Sequence, residues 1–391
     1  MIIIFCICTK EGGGKIKQKK ILSFIFIRIE IKRKYFRFKE EIMTTVRRAI
    51  VKSVLSGDAV ILQPARSATN EGEQRISLNY INAPKLARPP SETAAGGSTV
   101  DEPYAFEARE FLRKKLVGQE ICYTVDFQIP QSNRLMCSVY LGKDAESGEN
   151  VIESLVAEGL VEVRQQTGAR ANDAKYQRVL QIDAQAKTNK RGRYSDDSAQ
   201  QHVRNIKWTL DNPKQFVDEH KSSAPLDAIV EFIRDGNTVR CLLVPSYNLV
   251  TVQLTGIKCP LLKRENSGSA ETNEPFAEEA KQFVETRLLQ RQVRVQLDGV
   301  NNQNLVGTVL HPNGNIAVYL LREGLAKCVD WNLTLLSADW REKYRAAEKH
   351  AKDNRLRIWK NYVAQSGASS SDNSTATANG KSASSKEYQV S

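Results

Sequence analysis

The sequence predicts an α+β protein built from two tandem domains, each a small five-stranded β-barrel with three helices. The opening of an amphipathic helix at residues 102–111 recurs at residues 274–283, 172 residues later. That period is far longer than the repeat of a solenoid and indicates two whole domains. Strand-like and helix-like segments follow the same order around both copies. Five short strands per copy suit a closed barrel, because closure leaves no free sheet edge.

The first copy spans residues 44–196. Alternating apolar residues predict three strands before the repeated helix and two after it. A proline, Pro103, falls in the first turn predicted for that helix, where its missing N–H costs nothing. A short helix closed by Gly159 and a basic last helix complete the copy. The predicted strands are 46–55, 59–63, 75–81, 120–127 and 134–141, and the later helices are 151–158 and 172–190.

The second copy spans residues 224–363 and repeats that order after a connector at residues 197–223. Turn glycines match between the copies at Gly57 and Gly236, and helix-ending glycines match at Gly159 and Gly324. The predicted strands are 226–234, 238–244, 249–257, 292–297 and 304–310, and the predicted helices after the repeated one are 316–323 and 338–352.

The charge of the chain gives only weak support for an anionic partner. The formal net charge is +12, but residues 1–42 alone hold 11 basic and 4 acidic side chains. This apolar and basic leader is too short and too broken to span a bilayer, and we expect it to lie outside the fold, with Met43 as a natural start. Residues 364–391 predict a disordered linker that enters a third, truncated repeat near residue 387.

The seven cysteines form no C-x-x-C pair, and most of them lie in apolar runs where a thiol packs as a small hydrophobe. The absence of a paired framework favours a reducing compartment. The four histidines are scattered, so the sequence predicts no metal cluster.

Short motifs recur at the landmarks of the two copies, and they are Ser56-Gly57-Asp58-Ala59-Val60, Asp235-Gly236-Asn237-Thr238-Val239, Glu323-Gly324-Leu325-Ala326 and Leu356-Arg357-Ile358-Trp359. Their order resembles the staphylococcal nuclease family, whose fold is an OB barrel of five strands with three helices. Two tandem copies with this helix opening resemble, more narrowly, the N-terminal part of the multidomain Tudor staphylococcal nucleases. The resemblance covers about residues 44–363 and implies further nuclease-like copies and a Tudor domain in a full-length relative.

The resemblance implies a site that cleaves phosphodiesters with one calcium ion. The family pattern needs an Asp in the first turn, an Asp-Thr-Pro-Glu run after strand three, an Arg seven residues before that Pro, and an Arg opening strand five. Two carboxylates and a carbonyl hold a hard cation through oxygen. The Glu serves the attacking water, and the arginines offset charge on the phosphate.

In the first copy only Asp58 and Arg134 match that pattern. The run after strand three begins with Asn82 and ends with Lys85, so an amide and an ammonium replace two carboxylates. Ser77 stands at the first Arg position, and Arg75 could substitute only if the strand register shifts. An Asp such as Asp58 is also common in tight turns without any metal.

In the second copy the family pattern is lost altogether. The turn has Asn237, the run after strand three begins with Lys258, Gln253 stands seven residues before its proline, and we place Leu305 at the strand-five arginine position. We therefore expect neither copy to act as an efficient nuclease, and we expect no cofactor. Calcium would be required only if the nuclease alternative holds.

Replacing carboxylates by Asn and Lys makes each barrel mouth more positive, which favours sequence-independent contacts with phosphates. Taken singly, each basic side chain also has the simpler interpretation of a solvated surface charge. The last helices are basic as well, and there we prefer a solvated face with i,i+4 pairs to an RNA track. The predicted nucleic-acid contacts are Arg75, Lys85, Arg88, Arg134, Lys258, Lys263 and Arg264.

Three functions follow from these features. The leading hypothesis is a scaffold of degenerate nuclease domains that binds single- or double-stranded RNA. By resemblance, such a scaffold would act with the proteins of RNA silencing complexes and of transcriptional coactivation, in the cytoplasm and also in the nucleus, and not at a membrane. The alternatives are a calcium-dependent endoribonuclease and a protein–protein interaction module.

Overall fold

The computed structural model describes residues 45–64, 72–90, 98–263 and 273–363. Within them the chain forms two closed five-stranded barrels with helices, which confirms the predicted fold class. The predicted leader, the predicted terminal linker and Arg264 lie outside the described residues. No helix in the described ranges is both long and apolar enough to cross a bilayer.

The first barrel closes where strand β3 runs parallel to strand β6. Ser77 of β3 lies opposite Met136 of β6, and the sheet order is β3-β2-β1-β5-β6-β7. The elements of this barrel are β1 (Arg47–Ser56), β2 (Ala59–Gln63), β3 (Gln74–Leu78), β4 (Ile81–Asn82), α1 (Ala105–Leu116), β5 (Glu120–Ile129), β6 (Arg134–Leu141), β7 (Glu149–Asn150), α2 (Val151–Ala157), β8 (Glu162–Val163) and α3 (Ala174–Thr188).

The second barrel has the same topology and closes between β11 and β14, with Gln253 opposite Val306. A helix, α4 (Pro213–His220), precedes it. The remaining elements are β9 (Leu226–Asp235), β10 (Thr238–Leu243), β11 (Leu249–Leu254), β12 (Ile257–Lys258), α5 (Ala277–Leu288), β13 (Gln292–Asn301), β14 (Asn304–His311), β15 (Gly314–Asn315), α6 (Ile316–Arg322), β16 (Lys327–Cys328), α7 (Asp330–Leu333) and α8 (Ala338–Asp353).

The third predicted strand of each copy is two strands in the structure. In the first copy it breaks at Tyr80, whose φ is 63°, and in the second it breaks at Gly256, whose φ is 78°. A left-handed residue redirects the chain, so that β4 leaves the barrel sheet and pairs with β8, and β12 pairs with β16. This break places Asn82 and Lys258 beside the chain that follows the short helix of each copy.

The position predicted for Pro103 was wrong by two residues. Helix α1 begins at Ala105, after Tyr104 in the left-handed conformation, and α5 begins at Ala277 after Phe276 in the same conformation. The proline therefore lies before the helix and not in its first turn.

Two contacts explain why the helix opening recurs in the sequence. The Glu102 carboxylate accepts the N–H of Lys85 at 2.8 Å, and Glu274 accepts the N–H of Leu261 at 2.7 Å, so each glutamate closes the loop before its helix. A Cβ on Gly57 would lie 2.6 Å from that of Ala108, so the first turn and helix α1 approach closely only because this residue is glycine.

The segment predicted as a connector is structured along its length. Its first part binds the first copy, because His202 stacks on Tyr104 with ring centroids 3.9 Å apart and Arg204 donates twice to the buried carboxylate of Asp101. Its second part is helix α4, which packs Val217 into the core of the second barrel. The prediction missed this helix.

All five cysteines of the described residues are free thiols. Four of them are buried, as the sequence predicted, and the fifth, Cys328, is half-buried. Burial raises the pKa of Cys137 and of Cys241 to about 12, which keeps these thiols neutral.

The two barrels are joined by contacts between the first strand of one and the repeated helix of the other. Arg109 of α1 is 5% exposed and forms two hydrogen bonds with the carboxylate of Glu231 on β9. Reciprocally, Lys52 of β1 lies 3.1 Å from the carboxylate of Glu285 on α5. Lys52 and Glu231 each lie five residues before the turn glycine of their own copy, Gly57 or Gly236. The two copies therefore carry opposite charges at equivalent positions.

Gln290 forms the centre of this interface. Its side chain accepts the Val54 N–H at 2.7 Å and donates to the Val54 carbonyl at 2.8 Å, across the two copies. Its own carbonyl accepts from Arg113 at 2.7 Å. Gln290 has a φ of 54°, whereas the equivalent residue of the first copy, Gly118, reaches 77° without a side chain. A Cβ on Gly118 would lie 1.8 Å from the guanidinium of Arg291.

Apolar side chains complete the interface beside these polar contacts. Phe106 of α1 forms a buried cluster with Ile229 and Leu242 of the second barrel. The guanidinium of Arg204 lies 3.9 Å from the centre of the Phe106 ring, so the connector covers this cluster. Polar and apolar contacts therefore hold the two barrels and the connector together as one unit.

Gln290→Ala is expected to lower the free energy of unfolding by about 1–3 kcal/mol, because the buried N–H of Val54 loses its acceptor. Gln290→Gly loses the same bonds but adopts the left-handed conformation without steric cost, so it should be about 1 kcal/mol less destabilising than the alanine variant. Denaturant unfolding of both variants measures this. The control is Gln296→Ala, since Gln296 bonds Lys221 within the second copy. Equal stability of Gln290→Ala and Gln296→Ala would contradict the assignment.

Candidate nucleic-acid interface

The turn between β1 and β2 presents Asp58 at the mouth of the first barrel. Its carboxylate accepts the hydroxyl of Ser56 at 2.6 Å, and its main-chain carbonyl accepts the N–H of Leu78 at 2.8 Å. These bonds tie the turn to β3. Asp58 is half-buried, so its carboxylate can act on neighbouring charges.

The guanidinium of Arg164 lies against Asn82. Its Nε and Nη2 donate to the Asn82 side-chain oxygen at 3.0 and 2.7 Å, and Nη2 also donates to the Ile81 carbonyl at 2.9 Å. The main-chain N–H of Arg164 donates to the Tyr80 carbonyl at 2.7 Å. The pairing of β4 with β8, and the left-handed Tyr80 before it, bring these residues together.

Arg134 opens β6 as predicted and approaches the same site. Its Nε donates to the hydroxyl of Ser77 at 2.7 Å, so the serine at the lost arginine position now orients the arginine that remains. Burial lowers the pKa of Arg164, Asp58 raises it, and Arg134 lowers it further. The guanidinium groups of Arg134 and Arg164 therefore repel each other, and the Asp58 carboxylate is the acidic group that acts on Arg164.

The remaining predicted contacts of the first copy lie on exposed surface. The pairing of β2 with β3 is regular, with Ile61 opposite Arg75, so Arg75 stays two residues from Ser77 and does not take its place. Lys85 and Arg88 are exposed on the loop that Glu102 closes. The Lys85 ammonium lies 4.0 Å from the Glu102 carboxylate, an exposed pair that contributes little to stability.

In the second barrel a pair of lysines occupies the corresponding strands. Lys258 of β12 lies directly opposite Lys327 of β16, where the first copy pairs Asn82 with Glu162. Like charges placed opposite each other repel. The side-chain oxygen of Asn237 is buried without a hydrogen-bond partner in the described part of the chain.

The strand register corrects one position of the second copy. Because β11 pairs Gln253 with Val306 while β3 pairs Ser77 with Met136, the residue equivalent to Arg134 is Asn304 and not Leu305. Leu305 is 1% exposed and packs in the core. Neither Asn304 nor Leu305 is an arginine, so the second copy lacks this residue by either assignment. Lys263 is half-buried, and its N–H donates to the Asn273 side chain at 2.8 Å.

Comparison with known proteins identifies the family. The family described as "Staphylococcal nuclease homologue" matches residues 75–196 and 251–361, more than half of the chain. The chain belongs to the staphylococcal nuclease family.

Three relatives extend this comparison, and the chain spans only about a third of the length of each. It is 47% identical over 322 residues to "Staphylococcal nuclease domain-containing protein 1" of Drosophila melanogaster, which covers 82% of this chain and 34% of the relative. It is 32% identical to "Ribonuclease TUDOR 2" of Arabidopsis thaliana, over 80% of this chain and 36% of the relative. It is 33% identical to "Staphylococcal nuclease domain-containing protein 1" of Schizosaccharomyces pombe (strain 972 / ATCC 24843), over 80% and 35%.

The calcium ion expected for a staphylococcal nuclease does not fit the residues of either barrel. In the first, Asp58 is the one carboxylate at the expected positions, and the Asn82 oxygen already accepts two hydrogen bonds from Arg164. In the second, Lys258 and Lys327 would repel a cation. The described residues contain no group of three or more His, Cys, Asp or Glu side chains placed to hold a metal.

The basic last helices of the two staphylococcal nuclease domains are largely ion-paired. Lys187 pairs with Asp183 at 2.6 Å and Lys352 with Glu348 at 2.9 Å, both at the i,i+4 spacing. These pairs agree with the interpretation of a solvated helix face. Tyr194 donates its hydroxyl to Asp183 at 2.8 Å, so it anchors the end of the first of these helices.

Sequence reasoning missed two cationic residues of the nuclease-like site, Arg164 and Lys327. Both belong to segments where a two-residue strand follows the short helix of each copy, and so short a strand has no periodic pattern. The repeat gives no signal for them either, because Arg164 matches Val329 and Lys327 matches Glu162 in the other copy.

Calcium is expected to leave the unfolding temperature of the 391-residue chain unchanged, within about 1 °C, because a ligand stabilises only a folded state that binds it. Thermal unfolding with calcium and with a chelator measures this, with magnesium as the control for general effects of divalent ions. A rise with calcium that magnesium does not produce would show that one of the barrels retains a metal site.

Proposed function

We propose that this chain binds RNA through the mouths of its two barrels and acts as a scaffold rather than as a calcium-dependent nuclease. The observation that carries the proposal is the placement of two guanidinium groups at the positions of lost nuclease residues, Arg134 on Ser77 and Arg164 on Asn82, with Asp58 as the single carboxylate that remains. Such a site lacks the ligands for a hard cation but has the charge and the N–H donors that bind phosphate oxygens.

The second barrel supports the same proposal with different residues. Lys258 and Lys327 are both exposed and form a cross-strand pair of like charges. An anion lying between two ammonium groups removes their repulsion, so phosphate binding is favoured where calcium binding is opposed. OB barrels commonly bind single strands along an open face, which suits both sites.

The relatives' printed names point in two directions. Two are called nuclease domain-containing proteins and one is called a ribonuclease. We therefore keep calcium-dependent endoribonuclease activity as the second candidate for the longer protein, in which other domains could supply the residues that these two barrels lack. From the resemblance to Tudor staphylococcal nucleases, we propose a role in RNA silencing complexes and in transcriptional coactivation, in the cytoplasm and nucleus.

The 391-residue chain is expected to bind labelled RNA with an affinity that falls steeply with salt. For about three phosphate contacts, the logarithm of the association constant for a single strand falls with a slope of about −2, so binding weakens more than tenfold between about 50 and 200 mM salt. Arg134→Ala should weaken binding, and Lys258→Ala should do so independently. The matched control is Arg178→Ala, which removes an exposed charge on α3 paired with Glu153.

The same titration, run on single- and double-stranded RNA with calcium and with chelator, separates the three hypotheses. Intact RNA and salt-sensitive binding support the scaffold. Cleavage that requires calcium would establish the nuclease instead. Absence of salt-sensitive RNA binding would leave the protein-interaction module as the better description.

A further inference from the structure

We propose that the guanidinium of Arg164 replaces the metal ion of the first barrel, so that this site carries a built-in cation and binds an oxyanion such as phosphate without metal. The proposal adds a specific position to the proposed function, and it rests on that function only in naming phosphate as the ligand.

The contacts of Arg164 support this replacement. In the family pattern, the residue at the position of Asn82 supplies a carboxylate oxygen to the metal. Here the oxygen at that position accepts two hydrogen bonds from one guanidinium, and that guanidinium also binds a main-chain carbonyl one residue away. The side-chain oxygen that would face a cation at position 82 thus faces the charged end of Arg164. The change of a carboxylate to the neutral Asn82 suits a cation of charge +1 rather than +2.

The backbone that carries the Arg164 side chain is held by two contacts with the chain around β4. β8 ends at Val163, which lies opposite Ile81 of β4, and the N–H of Arg164 donates to Tyr80. A cation attached in this way cannot dissociate and cannot be removed by a chelator. The equivalent residue of the second barrel is Val329, whose N–H donates to Gly256, so the second copy keeps the backbone contact without the charge.

The unused hydrogen-bond donor of Arg164 indicates that the site binds an anion. Its Nη1 donates to no protein group within the described part of the chain, while Nε and Nη2 are both engaged. Arg134 acts on Arg164 as a like charge, although Asp58 acts on it more strongly as an opposite charge. An anion that accepts hydrogen bonds from both arginines would satisfy Nη1 and relieve the repulsion.

The surroundings leave room for such a ligand. A cleft of about 400 Å³ opens beside Arg164 and Asn82 and extends to Lys187, Arg193 and Tyr194 of the segment that begins with α3. Arg193 and Lys187 pair with acidic neighbours in this cleft, at 3.8 and 2.6 Å. Of the basic side chains that line the cleft, Arg164 has no ion-pair partner among the described residues, so it is the cation best placed to bind a phosphate there.

The first test restores the missing carboxylates in the 391-residue chain and asks whether Arg164 excludes calcium. Asn82→Asp with Lys85→Glu should give no calcium-dependent rise in unfolding temperature, because the new Asp pairs with Arg164. Adding Arg164→Ala should restore calcium binding and raise the unfolding temperature by about 2–4 °C at saturating calcium. Arg164→Gln serves as a second variant that removes the charge but keeps amide donors, and circular dichroism verifies folding.

Two results of that test would overturn the proposal. One is a calcium response of equal size with and without Arg164. The other is no response in either background when the variants are folded, since the position would then be closed to metal for a reason unrelated to Arg164.

The second test uses inorganic phosphate as the probe, with chelator present throughout. Phosphate should raise the unfolding temperature of the unmodified chain more than that of Arg164→Ala, and Arg178→Ala should respond like the unmodified chain. Equal responses from all three proteins would contradict the phosphate site. Because both tests use ions instead of RNA, their failure can be distinguished from failure of the proposed RNA binding.

Discussion

The contact between the first strand of each barrel and the repeated helix of the other is the constraint on which the rest of this structure depends. Arg109 reaches Glu231 in one direction and Lys52 reaches Glu285 in the other. Two copies of one domain can associate in this reciprocal manner because they differ in charge at the equivalent positions of Lys52 and Glu231. Gln290 then binds both polar groups of Val54, so the interface leaves this strand edge paired.

This interface also fixes the position of the candidate site of the first barrel relative to the second barrel. Helix α1 carries Arg109 to the second barrel, while its start is bound through Asp101 and Tyr104 to the connector. The loop that ends at α1 carries Lys85, and the turn that packs against Ala108 precedes Asp58. The candidate site of the first barrel therefore adjoins the same helix that contacts the second barrel. If RNA binds as proposed, we expect the distance and the angle between the two barrel mouths to stay unchanged.

The chemistry of the two sites follows from the charged residues that stand where the family pattern has carboxylates. A calcium site needs several oxygen ligands with net negative charge. The first barrel keeps one carboxylate and adds Arg164, and the second places Lys258 opposite Lys327. Both differences from the family pattern add positive charge where the pattern has a metal site, but they involve different residues at different points.

The repeat, the barrel class and most strand limits could be predicted because alternation and turn glycines are local signals. β2 and β6 match the predicted ranges residue for residue. The break at Tyr80 was missed because a left-handed tyrosine has no sequence signature. The break at Gly256 was missed although a glycine inside a strand pattern is a recognisable signal. Helix α4 was missed although Asn212 caps it and Pro213 opens it, which is a recognisable start.

The candidate site was predictable only in part, for a related reason. Asp58 and Arg134 could be assigned from the family pattern, because each occupies a motif position. Arg164 could not, since its role depends on the pairing of two strands of two residues each. The interface could not be predicted either, because the bonds of Gln290 exist only when both barrels are assembled.

The most direct measurement compares the unfolding of the two barrels in one denaturant titration. All four tryptophans lie at residue 208 or beyond, so their fluorescence reports the connector and the second copy. Hydrogen exchange of β1, β2, β5 and β6, followed by mass spectrometry at the same denaturant concentrations, reports the first barrel. If the interface makes the barrels one unit, both signals change at the same denaturant concentration. Exchange of the first barrel at a concentration where tryptophan fluorescence is still native would contradict this.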